Sequence, residues 1–380
     1  MDFALGETQQ AVARVATDVL GRGQPAAAGQ NEPQDSALWK ELGQAGLLSL
    51  TLPPWLDGDG LGVLETAVLL TEVGRRAAAV PALATLMLGV LPVVRWGGRD
   101  LQEMLLPQVG SGDTVLTAAV REPSAQMPAA PATVASLIGD SGTVTGTKIG
   151  VPYAAAARWI LVPASIASGG RAVVVVDTRA DGVRLHRTPS SAGAPEYTLR
   201  LAEAPVTGVV GVGSGPADVS RDVGPDVGRD VGRDAVEDLY QLGLAGACCL
   251  ADGALAAALA LTTAHIAARE QFGRPLATFQ AVAQQIADVY IAARTLHLAT
   301  LSACWRLAAG RDAAGDLDVA AYWLAQEAPA ALRTCHHLHG GIGLDVTYPL
   351  HRYSSLITDL ARFVGGADYR LDALGARVSN

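Results

Sequence analysis

Residues 239–270 read LYQLGLAGACCLADGALAAALALTTAHIAARE, an Ala- and Leu-rich run that is apolar almost all round when wound as a helix. A helix without a polar face must be enclosed, by other helices or by another subunit. The segment therefore demands a C-terminal helical bundle with a core shared in an oligomer. It also ends oddly. The run closes on Arg269-Glu270 and turns through Phe272-Gly273-Arg274-Pro275, and a second helical pattern starts at once. REQFGRPLATFQ, residues 269–280, thus asks for a purpose beyond packing.

The rest of the chain supplies the enclosure. At 380 residues it exceeds one ordinary core, and with 50% hydrophobic and 17% charged residues it has ample apolar surface to bury. Up to about residue 112, apolar residues recur three and four apart in QQAVARVATDVL, LWKELGQAGLLSL and VLETAVLLTEVGRRAAAVPALATLMLGVLPVV. Pro53, Pro54, Gly58 and Gly60 mark a loop between these helices. From 113 to 210 the pattern changes to short β-branched runs such as TVLTAAV, ARWILVPAS and AVVVVDT, separated by turn clusters. Residues 211–236 then repeat a four-residue register, RDVG, PDVG, RDVG, RDAV, with no apolar face, which reads as a flexible surface loop.

The expected architecture is α+β: an N-terminal helical domain (1–112), a middle β domain (113–210), the Gly/Asp/Arg/Val repeat loop (211–236) and a C-terminal four-helix bundle (237–380). In the bundle, helices are expected from about 238, from 278 to 309, and from 317 to 338, the last stopping at Gly340-Gly341.

The formal charge of −9 comes without a basic stripe, which argues against nucleic acid. MDFALGETQQ lacks the basic-then-apolar order of a signal peptide, and no uninterrupted apolar run approaches the roughly 18 residues of a membrane span. Cys248, Cys249, Cys304 and Cys335 form no CxxC pair and stand among apolar residues, as reduced thiols of a cytoplasmic protein do. His336 and His339 are three apart and could share a helix face, but no carboxylate or thiol motif completes a tetrahedral set, so no metal is expected.

The order helical, β, helical, with REQFGRPLATFQ and HLHGGIGLDVTYPLHRY, resembles the acyl-CoA dehydrogenase family across nearly the whole chain. LWKELGQAGLLSLTLP and LLTEVGR also look like that family's N-terminal helices. The resemblance implies a flavoprotein in which a carboxylate removes the α-proton of an acyl-CoA while a hydride passes from the β-carbon to FAD. In that family the Arg-x-x-Phe-Gly and Gly-Gly segments of one subunit meet FAD held mainly by a neighbour. Carried over, Arg269 contacts the pyrophosphate, Phe272 and Gly273 the adenosine side with Gln271 beside them, and Gln280 the adenine or ribose region. His337, where the family commonly has Gln, and Gly340-Gly341 lie against the same cofactor. Taken alone, Arg269 reads better as a cation opposing the helix macrodipole. Its companions favour phosphate, which a guanidinium grips through charge-assisted, often bidentate bonds.

The departures from the family are as informative. Its catalytic glutamate occupies one of two positions, which fall here on Val364 and Gly243, and neither side chain accepts a proton. Glu237, at the helix entrance, is the alternative base. Asp252 lies nine residues beyond Gly243, roughly 13 Å along a helix, and is expected to be a paired acid between helices. The family's acid-Pro-Gly-x-Gly-Ser appears as REPSAQMPAAP, keeping Glu122 and Pro123 without the glycines. Its flavin-packing Trp-Ile-Thr stretch appears as TKIGVPY, residues 147–153.

Residues that a subunit uses on its own FAD are eroded, whereas those it presents to a neighbour's are kept. The chain is most similar in this to the base-lacking subunit of actinobacterial heteromeric (α2β2) acyl-CoA dehydrogenases of steroid side-chain degradation. That similarity implies a paralogous catalytic partner, one FAD per heterodimer, a steroid side-chain CoA thioester as substrate and an electron-transfer flavoprotein as acceptor. Two alternatives stay open: an active homomer with a non-standard base such as Glu237, and a non-catalytic scaffold.

Overall fold

The computed structural model describes residues 4–22, 35–211 and 234–378. The repeat read as a loop at 211–236 lies outside the described residues except at its ends. At the second of these, Asp234 accepts a hydrogen bond from the Glu237 N–H at 2.8 Å, so a helix begins at Ala235, inside the stretch expected to be loop.

The N-terminal helices are α1 (Glu7–Arg22), α2 (Ser36–Gln44), α3 (Val63–Arg76), α4 (Leu91–Trp96) and α5 (Arg99–Leu105). Asp35 caps α2 by accepting the Leu38 N–H at 2.9 Å. The residues before α4, Leu83–Val90, are wound as a π-helix that runs straight into it, and every residue from Ala84 to Val90 is buried. The expected loop around Pro53 to Gly60 is present, with a single 3₁₀ turn at Pro54–Leu56.

Ten strands follow: β1 (Leu116–Ala118), β2 (Arg121–Glu122), β3 (Ala125–Gln126), β4 (Val134–Ile138), β5 (Ser141–Pro152), β6 (Trp159–Ile166), β7 (Arg171–Asp177), β8 (Val183–Thr188), β9 (Glu196–Val206) and β10 (Gly208–Val210). They join in one mixed sheet ordered β10-β7-β6-β4-β5-β2-β3, with β1 parallel to β6, and β9 between β5 and β8. The period-two alternation of β6 and β7 explains their unbroken apolar runs. Leu161, Val173 and Val175 enter the helical core, while Ile160, Val162, Val174 and Val176 build the sheet's own core on the other face.

The C-terminal bundle consists of α6 (Ala235–Ala268), α7 (Gln280–Ala308), α8 (Ala314–His339) and α9 (Leu350–Phe363), with α10 (Ala367–Val378) packed on α8. A two-stranded hairpin, β11 (Glu270–Gln271) and β12 (Arg274–Pro275), links α6 to α7. By length and composition α6 could cross a membrane, which the count of uninterrupted apolar residues did not register, since a few polar residues break a run without lowering its mean hydropathy much. Most of α6 is instead buried against α3, α7, α8 and α9. The backbones of α3 and α6 nearly touch: a Cβ added at Gly74 would lie 2.0 Å from the Leu250 carbonyl oxygen, and one at Gly253 would lie 1.9 Å from that of Thr71.

Candidate functional site

α6 and α8 end side by side. His265, in the last turn of α6, stacks on His339, the last residue of α8, with ring centroids 4.5 Å apart. The His339 Nδ1–H donates to the Cys335 carbonyl at 2.8 Å, which leaves Nε2 to accept from the Tyr348 hydroxyl at 3.1 Å. Burial holds both imidazoles below their ordinary pKa, helped at His265 by the Arg269 charge and at His339 by its histidine neighbours. A pair of neutral rings thus locks two helix ends together.

The segments that leave these ends carry the residues singled out by the sequence. Arg269, Gln271, Phe272, Gly273, Gln280, His337, Gly340 and Gly341 are all exposed. Phe272 and Gly273 have φ of 55° and 76°, the two left-handed positions of a tight hairpin turn. Glycine takes that conformation freely, whereas phenylalanine does so at a cost. The Phe272 ring is 92% exposed and meets Phe279 edge-on at 6.2 Å, and the Arg274 guanidinium lies 4.2 Å above the Phe279 ring. α7 starts at Gln280 without a side-chain cap, so its first N–H groups form an anion-accepting end. Nothing lies within 4 Å of where a Cβ would stand at Gly273, Gly340 or Gly341, which leaves bare backbone open to a ligand. Leu344 and Val346 add exposed apolar surface beyond the glycine pair.

The face toward the sheet is filled. A Cβ at Gly243 would stand 2.9 Å from Leu88 Cδ2 and within 4 Å of Phe363 and Met127. Val364 is fully buried, and its carbonyl accepts from Arg370 Nε at 2.5 Å. Glu237 stands in the first turn of α6, about 9 Å along the helix from Gly243, and its carboxylate accepts from Gln241 at 3.2 Å. Asp252 is a paired acid between helices, bonded to His297 Nδ1 at 2.9 Å.

In the sheet, Glu122 Oε1 accepts from Lys148 Nζ at 2.7 Å and from the Thr133 hydroxyl at 2.8 Å, and the N–H groups of Ala132 and Thr133 complete the shell. Burial alone would raise the Glu122 carboxyl, but these bonds together hold it below the usual range. At Gly150, where the chain turns with φ of 59°, a Cβ would lie 2.7 Å from Arg121 Nη1. Arg121 is itself buried and donates to Gln126 Oε1 at 2.6 Å, while Glu196 beside it takes two bonds from Arg362 at 2.7 and 2.8 Å. Both ring nitrogens of His336 are likewise engaged, with the Gly343 carbonyl and Ser354 Oγ at 2.9 and 2.6 Å.

Family models of the acyl-CoA dehydrogenase N-terminal and C-terminal domains match residues 6–113 and 234–377. Acyl-CoA dehydrogenase FadE28 of Mycobacterium tuberculosis is 46% identical over 379 residues, which cover 100% of this chain and 99% of that one. The chain belongs to the acyl-CoA dehydrogenase family. Two solved relatives, each 31% identical, share the fold throughout. The ChsE4-ChsE5 complex from Mycobacterium tuberculosis superposes with a TM-score of 0.88 over 100% of this chain and 99% of that one. A variant of the Tcur3481-Tcur3483 steroid acyl-CoA dehydrogenase does so with 0.87 over 99% of each.

FAD is the cofactor of an acyl-CoA dehydrogenase, and this chain's two faces fit it unequally. The helix-end face offers an exposed cation, uncapped N–H groups and bare glycines, all suited to a diphosphate and a flat base. The sheet face instead carries the buried Arg121 guanidinium packed against Gly150, within the 147–153 stretch that stands where the family's flavin-packing motif is expected. The eroded motifs are visible in the sequence, but the packing of Arg121 against Gly150 and of Leu88 and Phe363 around Gly243 is not, because no local pattern says which distant side chains will meet. His265 was also missed, although its position four residues before Arg269, one turn back on the same helix face, is a usable signal.

Proposed function

We propose that this chain is the base-lacking subunit of a heteromeric acyl-CoA dehydrogenase, lending its helix-end face to FAD seated mainly in a paralogous subunit. The complex introduces an α,β double bond into a CoA thioester, with a steroid side chain as the acyl group. The observation that carries the reading is the asymmetry between an open helix-end face and a filled sheet face. It is supported by likeness to the two-component ChsE4-ChsE5 complex and to a steroid acyl-CoA dehydrogenase.

In this reading Arg269 and the α7 N-terminus hold the pyrophosphate, Phe272 and Gly273 cover the adenosine side, and Gln271, Gln280, His337 and Gly340-Gly341 line the remainder. FAD supplies the two-electron acceptor. The partner supplies the carboxylate base and the flavin-ring pocket, because Val364 and Gly243 leave none here. Electrons then leave to an electron-transfer flavoprotein in the cytoplasm. A homomer using Glu237 fits less well, since that carboxylate sits about 9 Å from Gly243 along α6. A pure scaffold gives no reason to keep a strained, exposed Phe272 beside an open Arg269.

The yellow absorbance of bound flavin tests this. The chain made alone should retain little FAD, and co-expression with its paralogue should give about one FAD per heterodimer and acyl-CoA-dependent reduction. Arg269→Ala should leave assembly intact and weaken FAD binding about tenfold or more, the value of a charged hydrogen bond. Stoichiometric FAD with turnover from this chain alone would refute the proposal.

A further inference from the structure

The last turn of α6 closes where the Arg269 N–H donates to the His265 carbonyl at 2.8 Å. Side chains four residues apart leave a helix on one side, so the His265 imidazole stands directly behind the Arg269 guanidinium.

The two imidazoles of the stacked pair are not alike. His339 is 5% exposed, and both its nitrogens are spent, on the Cys335 carbonyl and the Tyr348 hydroxyl. His265 is only partly buried, and neither of its ring nitrogens bonds to any of the described residues. Stacking at 4.5 Å, with the ring planes 20° apart, covers one face of His265 and leaves its nitrogen-bearing edge available to a ligand.

The surrounding charges select that ligand. The titratable groups around the ring are Arg269 after α6 and His339 of α8, with His336 and Tyr348 beyond His339. None of these is a carboxylate. Burial and the Arg269 charge hold the His265 imidazole below its ordinary pKa, so it stands neutral beside a cation. An anion set between the two reverses that balance, because it favours the charged imidazole and offsets the guanidinium.

We propose that His265 is a second donor to the FAD pyrophosphate, gripping it beside Arg269 and taking up one proton from solvent as the cofactor binds. His265 has this role only if FAD meets the helix-end face, as proposed above. The pyrophosphate of FAD keeps its full charge through the neutral range, so it does not itself supply the proton change. The His265 pKa is then higher with FAD than without it, and affinity rises as pH falls, by at most about tenfold per pH unit for one proton.

In the co-expressed heteromer, FAD affinity should strengthen severalfold as pH falls from about 8 to about 6. Calorimetry should show proton uptake as a binding heat that varies with the ionisation enthalpy of the buffer. His265→Phe keeps a stacking ring without N–H groups, and should weaken FAD about tenfold at about pH 6 and flatten the pH profile. His337→Gln, which removes the other histidine assigned to this face, should leave the slope in place. A slope unchanged by His265→Phe, or one lost in His337→Gln, would overturn the proposal. If the heteromer holds no FAD, the heteromer reading fails by itself, and diadenosine diphosphate added to this chain alone decides the role of His265. The same probe decides it if His265→Phe does not fold. It shares the pyrophosphate and lacks the flavin, and it should raise the pKa read from the His265 imidazole proton resonances. A His265 titration that the probe leaves unmoved would refute the assignment.

Discussion

Phe272 occupies a position that two local rules disfavour. A side chain with a Cβ at φ of 55° costs about 1–2 kcal/mol relative to the right-handed region, and a ring 92% exposed gains nothing from burial in this chain. Strain of this kind persists where something outside the fold makes use of it. Phe272→Gly should therefore raise the stability of the isolated chain in urea by roughly 1 kcal/mol while weakening FAD retention in the heteromer. A loss of both together would show that the ring serves folding. Glu122 shows the opposite relation between residue and reading. It is kept from an eroded motif, and its carboxylate is consumed by Lys148, Thr133 and two backbone N–H groups. Identity at one position could not reveal a partner 26 residues away.

At the scale of elements, what makes α6 legible is its composition, and what makes it fit is its glycines. An all-round apolar run predicts enclosure, and the structure supplies it. The closeness of α3 and α6 depends on Gly74 and Gly253, whose missing Cβ atoms admit a facing carbonyl. Propensity alone favours alanine over glycine in a helix by about 1 kcal/mol. With the Thr71 oxygen 1.9 Å from the added carbon, Gly253→Ala should instead destabilise the chain by about 2 kcal/mol or more in urea denaturation, because the helices must part.

The contact between α6 and α7 carries a pH dependence. The hydrogen bond that His297 donates to Asp252 raises the His297 pKa above its ordinary 6.5, against burial and the charges of Arg294 and Arg75. A folded pKa above the unfolded one means that the pair's contribution is complete below about pH 6.5 and fades as pH rises through the higher folded value. Melting temperatures of wild type and His297→Gln should therefore differ most below about pH 6.5 and converge as pH rises above it. A constant difference would place the contribution of His297 in packing alone.

At the scale of the whole molecule, the helical-β-helical order and the C-terminal motifs were legible because they are local patterns of period and spacing. The filling of the sheet face was not, because it joins Leu88, Arg121, Gly243 and Phe363 from distant parts of the chain. That distinction bears on whether, in the proposed reading, a catalytic base is one substitution away. If the chain were an otherwise intact dehydrogenase missing its base, Val364→Glu would restore it. The position is fully buried, and Arg370 already bonds its carbonyl, so a carboxylate there enters a packed interior, with Leu88, Phe363 and Met127 close around Gly243 and Arg121 against Gly150. An uncompensated buried carboxylate shifts its pKa upward or destabilises the fold by several kcal/mol. Val364→Glu made alone should thus remain colourless, show no acyl-CoA-dependent dye reduction, and lower the urea midpoint. A yellow, active homomer from that single change would mean that the sheet face opens readily and that the base was the only part lost. The combined substitutions Val364→Glu and Arg121→Ala give the sharper comparison, since clearing the guanidinium without an added cofactor pocket should lower stability further and still bring no flavin.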